Sequence, residues 1–126
     1  MASSCADKII LQEIVDSTVS CSHWKRKNKQ CGVCVPCIIR QAALLKSQIT
    51  ERVPYELNPA NALNLPKRRD DLFALINRID RTDVERASHT VISNGPLPID
   101  CLADFTDMYV RGIEEVKAYL IHLGIL

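Results

Sequence analysis

The sequence predicts an all-α protein of about five helices packed around one core. Three observations carry that prediction. Apolar residues recur at threes and fours over residues 35–50, 68–80 and 100–123. Proline, glycine and asparagine punctuate the chain between those runs, at 53–66 and at Asn94-Gly95-Pro96. No set of alternating runs of strand length accompanies them. Four cysteines crowd into residues 21–37, at the start of the first long run, so the helices are expected to surround a four-cysteine zinc knuckle.

Over residues 7–16, Ile9, Ile10 and Ile14 form an apolar stripe at helical spacing. Ser17-Thr18-Val19-Ser20 is β-prone and is expected to run extended into Cys21. Residues 22–30 are too polar and basic for a core and predict a solvent-facing loop. Pro36 suits the first turn of a helix, where a missing N–H costs nothing. From there Val35, Ile38, Ile39, Ala42, Leu45 and Ile49 predict the central helix, reaching about Thr50. Residues 53–66 read as a linker, with Leu57, Leu63 and Leu65 laying it along the surface. Leu72, Leu75, Ile76 and Ile79 predict a helix over 68–80. Thr82 with Glu85 reads as a capping box for the next helix, whose stripe is Val84, Ala87, Val91 and Ile92. Asn94-Gly95-Pro96 stops it. Leu102, Phe105, Tyr109, Ile113, Val116, Leu120 and Leu123 predict a last helix from about Asp100 to Leu123, with Gly124 as its C-terminal cap.

A length of 126 residues fits a single domain, 1–126, and a hydrophobic fraction of 47% with 25% charged residues fits an ordinary globular chain. No apolar run approaches the roughly 18–20 residues of a membrane span. The N-terminus lacks the basic-then-apolar pattern of a secretory signal. A cytoplasmic protein is therefore expected, in which clustered thiols are metal ligands and not disulfides. The net charge of +1 argues against a general polyanion binder. The basic excess of the first half sits mainly in Lys25, Arg26, Lys27 and Lys29.

The cysteines follow the spacing Cys-x9-Cys-x2-Cys-x2-Cys at Cys21, Cys31, Cys34 and Cys37. Zinc in a structural site takes four ligands in a tetrahedron, and a Cys-x2-Cys turn bends two sulfurs onto one ion. Gly32 allows the tight turn after Cys31. One zinc ion is the expected cofactor, and a shell of four thiolates leaves no open position for catalysis. His23 is an available substitute for Cys21. The same cysteine spacing also suits an iron–sulfur cluster, although the bacterial ferredoxin run with its later Cys-Pro is missing. The four cations at 25–29 are placed to offset the negative charge of a tetrathiolate site. Arg40 is expected behind the ligands, on a sulfur or a nearby carbonyl. A small nucleic-acid-binding zinc module, gripping with Lys25, Arg26, Lys27, Lys29 and a stacked Trp24, is the alternative function.

Thr18-Val19-Ser20-Cys21 and Cys31-Gly32-Val33-Cys34-Val35-Pro36-Cys37-Ile38-Ile39-Arg40-Gln41-Ala42-Ala43-Leu44 resemble the C-terminal zinc motif of the 7-cyano-7-deazaguanine synthase family. These are ATP-dependent ligases that make the nitrile precursor of queuosine. Asp7 to Val15 resembles the helix before that motif, and Arg111-Gly112-Ile113-Glu114-Glu115 is similar to diverged, synthase-like members. The resemblance implies that the four cysteines are the family's structural zinc ligands. It does not carry catalysis over, because the family's Ser-Gly-Gly-x-Asp-Ser phosphate loop has no counterpart among four scattered glycines. Activity of this chain alone is not expected. The partners it implies are an ATP-binding synthase-like domain or a second copy.

His89 and His122 read as helix-surface residues, and the adjacent pairs Asp70/Asp71 and Glu114/Glu115 as solvated surface. Cys101 is expected as a small buried residue beginning the last helix, and Cys5 falls in the N-terminal tail.

Overall fold

Caps and turns divide the chain into helices of very unequal length. The structure, a computed structural model, describes residues 7–126, with the side chains of Arg26 and Lys27 also outside that description. The Asp7 carboxylate opens α1 (Lys8–Ile14) by accepting from the N–H groups of Ile9 and Ile10, both at 3.0 Å. A 3-10 turn, Val15–Ser17, closes it. The expected stripe does not face inward: Ile9 is 76% exposed and Ile10 53%. Leu11 and Val15 pack instead, against Leu44 and Ile49. On a helix of about two turns, period alone does not choose between two apolar faces.

α2 (Trp24–Lys27) is a single turn inside the expected loop, ended by Asn28 in the left-handed conformation at φ 49°. α3 (Val35–Ser47) is the central helix, with Pro36 in its first turn as expected. It stops at Gln48, φ 58°, earlier than predicted. Ile49 then donates its N–H back to the Leu44 carbonyl at 3.0 Å, so it is buried beyond the helix and not on it. α4 (Pro59–Ala62) is one turn within the expected linker, capped by Asn58 through a 2.9 Å bond from the Ala60 N–H.

α5 (Asp70–Asp80) and α7 (Leu102–His122) fall where periodicity places them. Between them α6 (Ala87–Ser93) starts later than predicted. Thr82 is not a capping-box residue. Its hydroxyl donates to the Arg78 carbonyl at 2.7 Å and meets the Tyr109 hydroxyl at 3.3 Å, so it finishes α5 instead of starting α6. Gly124, at φ 69°, caps α7 as expected, with the Ile125 N–H bonded to the Leu120 carbonyl at 2.9 Å.

α7 lies along α3 and α6 and touches α5. Ile38 and Ala42 of α3, Leu72, Leu75 and Ile79 of α5, and Val116, Tyr119 and Leu120 of α7 form the main core. The fold is all-α, with no strand among the described residues. No helix of the described residues is long and apolar enough to cross a membrane.

Burial pushes the Tyr119 phenol up to about 12, so it is a neutral donor at physiological pH. It donates to the Gln41 side-chain oxygen at 2.9 Å. The Gln41 amide in turn donates to the carbonyls of Gly32 (2.8 Å) and Cys37 (3.1 Å). This chain of bonds joins the main core to the cysteine knuckle. Tyr119→Phe is expected to cost about 1 kcal/mol, seen as a lower urea midpoint with an unchanged slope.

Candidate metal centre

Each cysteine is delivered by a different local device. Cys21 follows the extended segment after α1. Cys31 sits where the chain pairs with residues 56–57: the Glu56 N–H donates to the Gln30 carbonyl at 2.9 Å and the Leu57 N–H to the Cys31 carbonyl at 3.1 Å. Gly32 then turns the backbone at φ 82°. Cys34 stands directly before α3 and Cys37 within its first turn. The four sulfurs are buried and all lie within 4.8 Å of one another. Cys31 and Cys37 are 4.0 Å apart, as are Cys21 and Cys34. A tetrahedron with bonds of about 2.3 Å has edges of about 3.8 Å, so the set can hold one metal ion.

Backbone donors surround the sulfurs. The N–H groups of His23 (3.4 Å) and Cys31 (3.3 Å) point at Cys21 Sγ, and that of Cys34 points at Cys31 Sγ (3.3 Å). The positive end of α3 faces the same place. Burial raises the thiols of Cys31 and Cys37 above their ordinary range. Burial also acts upward on Cys34, but bonds from Ser22 and from the backbone of Cys37 outweigh it and bring that thiol down to about 6. Four thiolates gathered away from water repel one another and call for a cation among them.

The cluster has its own apolar shell of Val33 and Ala62, with Trp24, Tyr55 and Leu57 packed against it. Trp24 therefore covers the knuckle. His23 Nδ1 lies 3.9 Å from Cys31 Sγ and 3.4 Å from the Ser22 hydroxyl. Lys25 and Lys29 are exposed, while the side chains of Arg26 and Lys27 lie outside the described residues. Lys67 and Arg68 line a cleft of about 170 Å³ together with Cys34, His23, Asp70 and Asp71, so the cleft beside Cys34 carries charges of both signs, brought there by a second segment. Arg40 bonds to Glu51 at 2.8 Å and to the Val15 carbonyl at 2.6 Å. It connects to the ligand loops through Glu51 and Gln30.

Asp71 is not simply solvated surface. Its carboxylate accepts from the Val35 N–H at 3.3 Å and so caps α3 across 36 residues. Asp70 lines the same cleft. The hydrogen-bonding roles of Gln30, Gln41, Glu51 and Tyr55 are not legible in the sequence, because a single Gln, Glu or Tyr carries no spacing signal. His89 and His122 are exposed, Cys101 is half-buried just before α7, and Cys5 lies outside the described residues. Comparison with protein-family models, with curated proteins and with solved structures finds no match to this chain.

Proposed function

We propose that this chain is a zinc-stabilised helical domain, related to the C-terminal portion of the 7-cyano-7-deazaguanine synthase-like ATP-dependent ligases. The observation that carries the metal part is the set of four buried sulfurs, Cys21, Cys31, Cys34 and Cys37, within 4.8 Å of one another. A tetrahedral all-thiolate donor set fits zinc, which has no geometric demand of its own beyond four ligands. When bound, the ion supplies the positive charge that lets buried thiolates coexist. Protein atoms fill all four positions, so the role is structural. The synthase relation is supported by Cys31-Gly32-Val33-Cys34-Val35-Pro36-Cys37 and by Arg40-Gln41 after it. The domain then serves to dock or brace an ATP-binding domain or a second copy, and its 126 residues carry no Gly-rich phosphate loop.

Elemental analysis of the chain purified anaerobically under reducing conditions tests this. About one zinc per chain and a colourless solution are expected. Visible absorbance with bound iron, or a folded chain without metal, would reject the zinc assignment. Turnover of a deazaguanine substrate with ATP by this chain alone would reject the purely structural role.

A further inference from the structure

We infer that Gln30 is a positioning residue for the metal centre, tying the remote ligand Cys21 to the knuckle that carries the other three. The inference rests on the metal assignment above. Gln30 is a long polar side chain, yet it is only 2% exposed. Its oxygen accepts from the Ser20 hydroxyl at 3.2 Å and from the Ser20 N–H at 3.5 Å. Its nitrogen donates to Glu51 Oε1 at 2.9 Å. Ser20 and Gln30 each stand immediately before a ligand, Cys21 and Cys31. The amide thus spans the two ends of the loop that the site must close.

Glu51 gives that amide a rigid anchor. The Arg40 guanidinium of α3 pairs with it at 2.8 Å, with the two side chains 13% and 5% exposed. The Tyr55 hydroxyl donates to its other oxygen. Among the described residues no buried side-chain nitrogen or oxygen lacks a partner, so each buried polar atom of the network has at least one.

Cys31, Cys34 and Cys37 lie on one short knuckle, whereas Cys21 must be brought back across the loop from 22 to 30. Closing that loop costs chain entropy. A bond between Ser20 and Gln30 closes it without metal, so less freedom is lost when the ion binds. Residues that orient ligands without touching the ion commonly change affinity by about 10–100-fold. The Gln30 amide acts in that way.

The test measures zinc release from the full chain into an excess of a chromogenic chelator. Gln30→Met keeps the length of the side chain and removes all three side-chain bonds, two from Ser20 and one to Glu51. It is expected to bind one zinc and release it about 10-fold or more faster than the unmodified chain. Leu75→Ala in the main core is the comparison: it should lower the melting temperature while leaving the release rate within about twofold. Should Gln30→Met fail to fold, Glu51→Gln, which weakens the anchor, is expected to speed release by about threefold or more. A folded Gln30→Met, or in its place Glu51→Gln, releasing zinc at the unmodified rate overturns the positioning role alone. An unmodified chain that holds no zinc overturns this inference and the metal assignment together.

Discussion

Cys34→Ser is expected to leave a chain that retains no stoichiometric zinc and whose Trp24 emission moves to the red. A hydroxyl is a far poorer zinc ligand than a thiolate, and structural zinc contributes an apparent binding energy of about 10–16 kcal/mol in small zinc domains. Cys34 is only 1% exposed and lies at the junction of knuckle and central helix. Without an ion there, three buried thiols would be left with no shared partner among them. Trp24 packs against that cluster and is the sole tryptophan of the chain, so its emission reports the knuckle without interference. The main core is a separate cluster built from α3, α5 and α7. Partial loss is therefore expected: opening of the segments around Cys21–Cys34 and Tyr55–Ala62, with much of the helical circular dichroism retained. Cys21→Ser and prolonged chelation should give the same pattern. Bound zinc at one equivalent with unshifted emission in Cys34→Ser would end the four-thiolate assignment.

Two kinds of information were legible in the chain. Ligand spacing is local chemistry, so Cys21, Cys31, Cys34 and Cys37 could be grouped before any fold was known, and the structure places their sulfurs together. The long stripes of α3, α5 and α7 are also legible, because a period sustained over several turns has few alternative readings. What escaped depends on partners distant in sequence. The face of α1 is chosen by Leu44 and Ile49, which the stripe of Ile9, Ile10 and Ile14 cannot know about. Thr82 has the form of a capping residue, but Tyr109 and the Arg78 carbonyl offer it another role. Gln30 finds Glu51 across 21 residues, and Asp71 caps a helix that begins well upstream of it. The cleft at Cys34 is lined by Lys67 and Arg68, although the basic run nearest in sequence is at 25–29. Which charges neighbour a site is a property of space, and sequence proximity is a poor guide to it.

Gly32→Ala is expected to destabilise the protein by about 4 kcal/mol or more, a large share of the roughly 5–15 kcal/mol by which domains are usually stable. Two costs combine. Gly32 has φ +82°, where an L side chain loses about 1–2 kcal/mol. A methyl group there would also run into the Leu57 carbonyl oxygen and come within 3.0 Å of Tyr55 Cβ. The obstructing atom is backbone, and it cannot retreat freely. The Leu57 N–H is bonded to the Cys31 carbonyl at 3.1 Å, and the Glu56 N–H to the Gln30 carbonyl at 2.9 Å. Moving this segment away would pull on both residues that lead into the turn. It would also displace Tyr55, which holds Glu51 and through it Gln30. Rotating Gly32 instead would withdraw its own carbonyl from the Gln41 amide at 2.8 Å, and with it the link to Tyr119. Each relaxation therefore breaks a bond that supports the metal centre, so zinc release should accelerate as the melting temperature falls. Gly112→Ala provides the contrast: that glycine lies within α7, no atom lies within 4 Å of an added methyl, and alanine should stabilise by about 0.5–1 kcal/mol. A Gly32→Ala chain melting within a few degrees of the unmodified one would mean that residues 55–57 yield easily. The close approach of this segment to the knuckle would then have no part in holding the cysteines.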